Sequence, residues 1–114
     1  MIEINQKIKP LSINECWQGK RYKTVAYKNY EKILLYTLPK KEVPKPPYMI
    51  KFKFGFSNKG SDIDNPVKAL LDIMQKRYGF NDKDIFKMEI EKEIVKKGDE
   101  YFKVKLENIK GFCS

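Results

Sequence analysis

The chain has no histidine. That excludes a Ser-His or Cys-His nucleophile pair and any metal site built on imidazole. Cysteine is scarce: Cys16 and Cys113 are too few and too far apart to signal zinc or a disulfide framework, so a reducing, cytoplasmic compartment is the default. No apolar run reaches membrane length and no secretory leader is recognisable, so no membrane partner is expected. Acids are a minority, 15 against 24 Lys plus Arg, for a formal charge of +9. Such a surplus favours a polyanionic partner, nucleic acid before membrane. What is present suits one small globular domain over 1–114, with 41% hydrophobic residues to build a core.

The few acids are unevenly placed. Six of the 15 are Asp, and five of those six fall between Asp62 and Asp84. The chain is organised around the first of them, the run Asp62-Ile63-Asp64-Asn65-Pro66-Val67-Lys68-Ala69-Leu70-Leu71-Asp72. Asn65 suits a helix N-cap and Pro66 the first helical position. Asp62 and Asp64 then end an extended segment, where residues two apart point the same way. Lys68 and Asp72, four apart, share one helix face, and Val67, Leu70, Leu71 and Met74 form the apolar one. Two carboxylates this close repel, and a hard divalent cation such as Mg²⁺ removes the repulsion. The plainer reading stays open: an Asp before a helix stabilises its positive end, and D-x-D-N can be turn plus cap.

Periodicity outlines the rest. Met1 to Ile8 alternates as a strand, ended by Pro10. A basic stretch with aromatics follows, Trp17 then Lys20, Arg21, Tyr22 and Lys23, suited either to phosphate contact or to a solvated loop. Thr24 can cap a helix to about Thr37 with Ala26, Tyr30, Ile33, Leu34 and Thr37 at helical spacing; Tyr22, Tyr27, Tyr30 and Tyr36 read as core edge. Pro44, Pro46 and Pro47 stiffen the connection from Lys40 to Tyr48. Met49 to Phe56 is a strand with Ile50, Phe52, Phe54 and Phe56 inward and Lys51 and Lys53 outward. Gly79 closes the central helix. Asp82-Lys83-Asp84 introduces a strand from Ile85 to Val95, with Phe86, Met88, Ile90 and Ile94 inward and Lys92 breaking that side. Lys96 to Glu100 reads as a hairpin turn, and Tyr101 to Ile109 as the last strand with Phe102, Val104 and Leu106 inward.

These residues resemble a known family, the RusA-type Holliday junction resolvases of phage and bacteria. Asp62 to Met74 looks like the family's D-[LI]-D-N-x-x-K-x-x-x-D-x-[LM] signature. Asn81-Asp82-Lys83-Asp84-Ile85 is similar to its acidic D-D-x-Q-I segment, and Lys9 to Asn14, with Trp17 and Tyr22 to Tyr30, to its N-terminal P-x-S-x-N and aromatic-basic helix. The resemblance implies a small α/β (α+β) domain with a mixed four-stranded sheet flanked by helices, acting as a homodimer. It implies catalytic Asp62, Asp64, Lys68 and Asp82, with Asp62, Asp64 and Asp82 holding Mg²⁺, or Mn²⁺ in its place. Asn81 stands where many members carry an acid and Asp84 where Gln is usual, so Asp84 is the alternative third ligand. Asn65 and Asp72 would support the site.

The implied reaction is Mg²⁺-dependent hydrolysis of a phosphodiester, with paired symmetric nicks in four-way or branched DNA during recombination and repair. The metal would polarise the phosphate and acidify the attacking water, and Lys68 would stabilise developing charge. Lys20, Arg21, Lys23, Lys51 and Lys53 would hold the DNA backbone. The expected setting is the cytoplasm of a bacterium, from a phage or prophage gene. Two other readings remain: a non-catalytic binder of branched DNA or RNA, and a nuclease of broader branched-DNA specificity.

Overall fold

Alternation makes Tyr48–Phe56 a strand with one buried side, and it takes an interior place in the sheet. Tyr48, Ile50, Phe52, Phe54 and Phe56 are buried on one side, and Lys51 and Lys53 stand on the other. The computed structural model describes residues 1–11, 17–18, 22–60, 63–64 and 66–109. Within them the order is β1 (Ile2–Gln6), β2 (Trp17–Gln18), β3 (Tyr22–Lys23), α1 (Val25–Thr37), β4 (Tyr48–Phe56), α2 (Val67–Tyr78), a 3-10 turn (Asp82–Asp84), β5 (Ile85–Ile94) and β6 (Tyr101–Asn108). Strands β2 and β3 form a separate two-stranded ribbon.

The main sheet has the order β1-β6-β4-β5. Strand β4 runs antiparallel to β6 and parallel to β5, so the sheet is mixed, as the resemblance implies. Parallel neighbours need a crossover, and α2 provides it between β4 and β5. The core joins Ile2 and Ile4, the inner side of β4, and Phe102, Val104 and Leu106 to the buried residues of both helices. Helix α1 starts where expected: Thr24 Oγ1 accepts from the Tyr27 N–H at 3.1 Å. It ends at Leu38, just before Pro39, which disfavours a helical residue ahead of it. The Arg77 Nε donates to the Leu38 carbonyl at 3.1 Å and the Tyr78 hydroxyl to the Pro39 carbonyl at 2.7 Å, tying the end of α2 to the end of α1.

Three expectations need correction. The apolar stripe of α1 is rotated: Tyr27, Tyr30 and Leu34 are buried, while Ala26 and Ile33 face solvent, and Tyr36 is 90% exposed. The large tyrosine rings win the space beneath the helix, because burying them removes more apolar surface than burying Ala26. Lys96 to Glu100 does not close a hairpin. It carries the chain from β5 past β4 to β6, which pairs with β1 and β4. The strand with the continuous Phe102, Val104, Leu106 face takes the interior place and β5 takes the edge. Finally, the inner side of β5 is only partly covered: Ile85 and Ile90 pack against the core, but Phe86, Met88 and Ile94 are 55%, 41% and 44% exposed.

Candidate functional site

Helix α2 sorts its side chains sharply. Val67, Ala69, Leu70, Leu71, Ile73 and Met74 are buried, which leaves Lys68 exposed and Asp72 half-buried on the other side. The expected shared face is therefore present, and the Lys68 Nζ lies 3.2 Å from Asp72 Oδ1. The placement works against the helix. Lys68 sits in the first turn, where the helix dipole disfavours a cation, and Lys before Asp is the weaker order of an i,i+4 pair. Those same features suit an anion: the positive end of the dipole and an ammonium converge at one place.

The lead-in differs from expectation. Ile63 and Asp64 lie in a turn, not an extended run, and the Asp64 carbonyl accepts from the Val67 N–H at 3.1 Å. That bond satisfies one of the donors left free at a helix start. Pro66 at the helix start is already helical (φ −83°, ψ −6°), makes no side-chain cap bond, and its carbonyl accepts from Leu70 at 3.3 Å. The Asp64 side is exposed to solvent. Asp62 and Asn65 lie outside the described residues.

The second acidic group belongs to the opposite end of the same helix. Gly79 ends α2 with φ +78°, a conformation that glycine adopts at no steric cost. Asn81 Oδ1 then accepts from the Lys83 N–H at 3.0 Å and starts the 3-10 turn. The Asp82 N–H donates to Gln75 Oε1 at 2.9 Å, and Gln75 Nε2 donates to the Leu71 carbonyl at 3.3 Å. Asp82 is thus fixed to the last turns of α2 and Asp64 to the first. The 12 residues of α2 at about 1.5 Å each separate them by roughly 18 Å. Within one chain, neither Asp82 nor Asp84 is brought beside Asp64. Asp84 instead acts on Tyr48, whose hydroxyl is pushed up by burial and, secondarily, by the Asp84 charge. Among the described residues, no group of three or more Asp, Glu or Cys gathers closely enough to hold a metal ion.

The basic residues divide in the same way. Lys51 and Lys53 lie on the open face of the sheet, turned away from the core that α2 covers, and so apart from Lys68. They pair with Glu89 at 3.8 Å and Glu91 at 3.2 Å on β5. The sheet register adds two lysines that sequence reasoning missed: Lys105 opposite Lys51, and Lys103 opposite Lys53. All four line a shallow cleft of about 860 Å³. Alternation along β6 signals their outward direction, but only the strand order puts them beside β4. Lys23 is engaged elsewhere. It lies 3.0 Å from Glu31, which also holds Lys76 at 2.8 Å, and 5.0 Å from the centre of the Tyr27 ring. Burial works to raise the Glu31 carboxyl, but the bonds and charges of Lys76 and Lys23 prevail and hold it below the usual range. Lys23 therefore braces the ribbon against both helices. Lys20 and Arg21 lie outside the described residues.

No protein-family model matches this chain, and no curated protein matches it. No described helix is long and apolar enough to cross a membrane.

Proposed function

We propose that this protein is a metal-dependent endonuclease of the RusA type that resolves Holliday junctions as a homodimer in the bacterial cytoplasm. The observation that carries the reading is the start of α2, where exposed Asp64 precedes Lys68, a lysine kept in a first turn that disfavours it. The resemblance of the whole Asp62 to Met74 run supports it.

The donor chemistry fits Mg²⁺, since carboxylate oxygens are the hard ligands that ion takes, commonly one or two with waters. Asp62 and Asp64 would hold it. When bound, it supplies a Lewis acid at the phosphate and a more acidic water. Lys68 donates its ammonium protons to the phosphate oxygens as charge builds on them. Asp72 positions that ammonium before DNA arrives. Asp82 stands a helix length from Asp64 in its own chain, so the reading takes it, or Asp84, from the second protomer. A two-fold dimer also provides the two equivalent centres that paired nicking of a four-way junction requires. Lys51, Lys53, Lys103 and Lys105 would hold a flanking DNA arm, away from the scissile phosphate.

The test is cleavage of fixed and mobile synthetic four-way junctions with Mg²⁺ and with EDTA, beside linear duplex, for wild type and Asp64→Asn. Paired symmetric nicks that need the metal and vanish in Asp64→Asn are expected. Tight junction binding with no scission leaves the binder reading. Equal cutting of flaps, forks and duplex leaves the broader nuclease.

A further inference from the structure

Strand β5 is the longest in the sheet, ten residues, and among the described residues its outer edge has no neighbouring strand. An edge of this length is a template for pairing, and proteins usually blunt it with proline, with shortness or with charge on its covered side. Here proline is absent; the side of β5 that shares the core face exposes Met88 and Ile94 together with Lys92, its one charge, and Phe86 at the register shift beside Tyr48 is exposed as well. Among the described residues, Phe86, Met88 and Ile94 are three of the eight large hydrophobics left exposed, and all three belong to one strand.

We propose that the outer edge of β5 pairs antiparallel with β5 of a second copy about a two-fold axis at Ile90, joining the two four-stranded sheets into one. The inference names the surface of the homodimer proposed above and rests on that reading for the dimer's role, though its own support is the strand. The sequence of β5 complements itself in this register. Lys87 meets Glu93 of the second copy, twice by symmetry, and Ile90 meets its own equivalent. Phe86 meets Ile94, so exposed apolar side chains cover one another at both ends. Glu89 meets Glu91, but each carboxylate already has a lysine of β4, Lys51 and Lys53, beside it. The lysine stem at Lys92 meets Met88. Within its own chain Lys87 reaches only as far as 3.8 Å from Glu89, the loose end of an ion pair. A register one step either way would lose the match of Lys87 with Glu93.

The experiment is sedimentation of the full chain over a micromolar range, with a charge exchange across the seam. Wild type is expected to be a dimer. Lys87→Glu and Glu93→Lys alone should each weaken dimerisation at least about tenfold, because two attractive pairs become repulsive in each. The double variant, or an equimolar mixture of the two single variants, should restore it. Circular dichroism confirms that each variant folds. A wild-type monomer at about 100 μM, or a dimer indifferent to the single changes, overturns the proposal. Junction cleavage is assayed on the same samples. A dimer that responds to the exchange yet never cuts overturns the nuclease reading and keeps the seam. A cutting protein whose dimer ignores the exchange does the reverse.

Discussion

Tyr101 on β6 covers Gly55, its register partner on β4, so closely that a Cβ on Gly55 would overlap the Tyr101 ring. The ring is held from its far end as well, since its hydroxyl donates to Glu93 on β5. One tyrosine thus spans three strands on the open face, and glycine makes room for it. An aromatic laid over a strand glycine replaces the side-chain packing that the glycine lacks. Gly55→Ala should therefore destabilise the fold by about 1–3 kcal/mol, the range for forcing extra volume into a filled place. Urea unfolding measures it. In a Tyr101→Ala background the same change should cost almost nothing, and an undiminished cost there would locate the strain elsewhere.

The same contact predicts an alkaline transition. Burial, then the hydrogen bond to Glu93 and the charges of Glu93 and Glu91, push the Tyr101 hydroxyl up to about 12. Its folded value lies above the unfolded one of about 10. The stability it contributes is therefore complete below pH 10 and is lost as pH rises from there through 12. Ultraviolet titration of wild type against Tyr101→Phe should show the missing phenol as the one ionising latest. Glu93→Gln should lower that value while leaving the burial contribution in place.

A change at Lys68 should separate function from stability. Its charge opposes the dipole at the start of α2, at a typical cost of about 0.3–1 kcal/mol, and its pair with Asp72 returns about 0.3–0.5 kcal/mol. Lys68→Gln should then leave the unfolding free energy within about 0.5 kcal/mol of wild type or raise it slightly. Junction cleavage should fall about a hundredfold or more if the ammonium stabilises charge on the phosphate. A matched loss of stability and cleavage would make Lys68 a structural residue.

Much of the scaffold of this site was legible in the sequence. Helix α2 was announced by the spacing of Val67, Leu70, Leu71 and Met74 and by Gly79, because burial and left-handed termination are local demands. The Lys68–Asp72 pair follows from the same period. Strand order was not legible. Nothing local to Ile85–Ile94 says that it takes an edge, since its alternation matches that of an interior strand, and the result depends on competition with the more apolar β6. The grouping of Lys23 with Lys51 and Lys53 has the same origin: Lys23 lies against Glu31 of α1, whereas Lys51 and Lys53 stand on the open face of the sheet. The separation of Asp64 from Asp82 was available, however, from the length of the helix between them.

That separation yields the sharpest test of the proposed centre. If the third acid comes from the second protomer, each centre combines Asp64 of one chain with Asp82 of the other. Asp64→Asn and Asp82→Asn homodimers should both be inactive. In a mixed dimer, both changes fall in one centre and the other is intact. Refolding the two inactive variants together should then restore cleavage to about a quarter of wild type, since half the dimers are mixed and each carries one working centre. Such dimers should nick one strand of a junction without its symmetric partner. If both acids came from one chain, every centre in a mixed dimer would carry a lesion, and mixing would restore nothing. Should Asp82→Asn retain full activity, Asp84→Asn takes its place in the same experiment, because both acids occupy the 3-10 turn at the far end of α2.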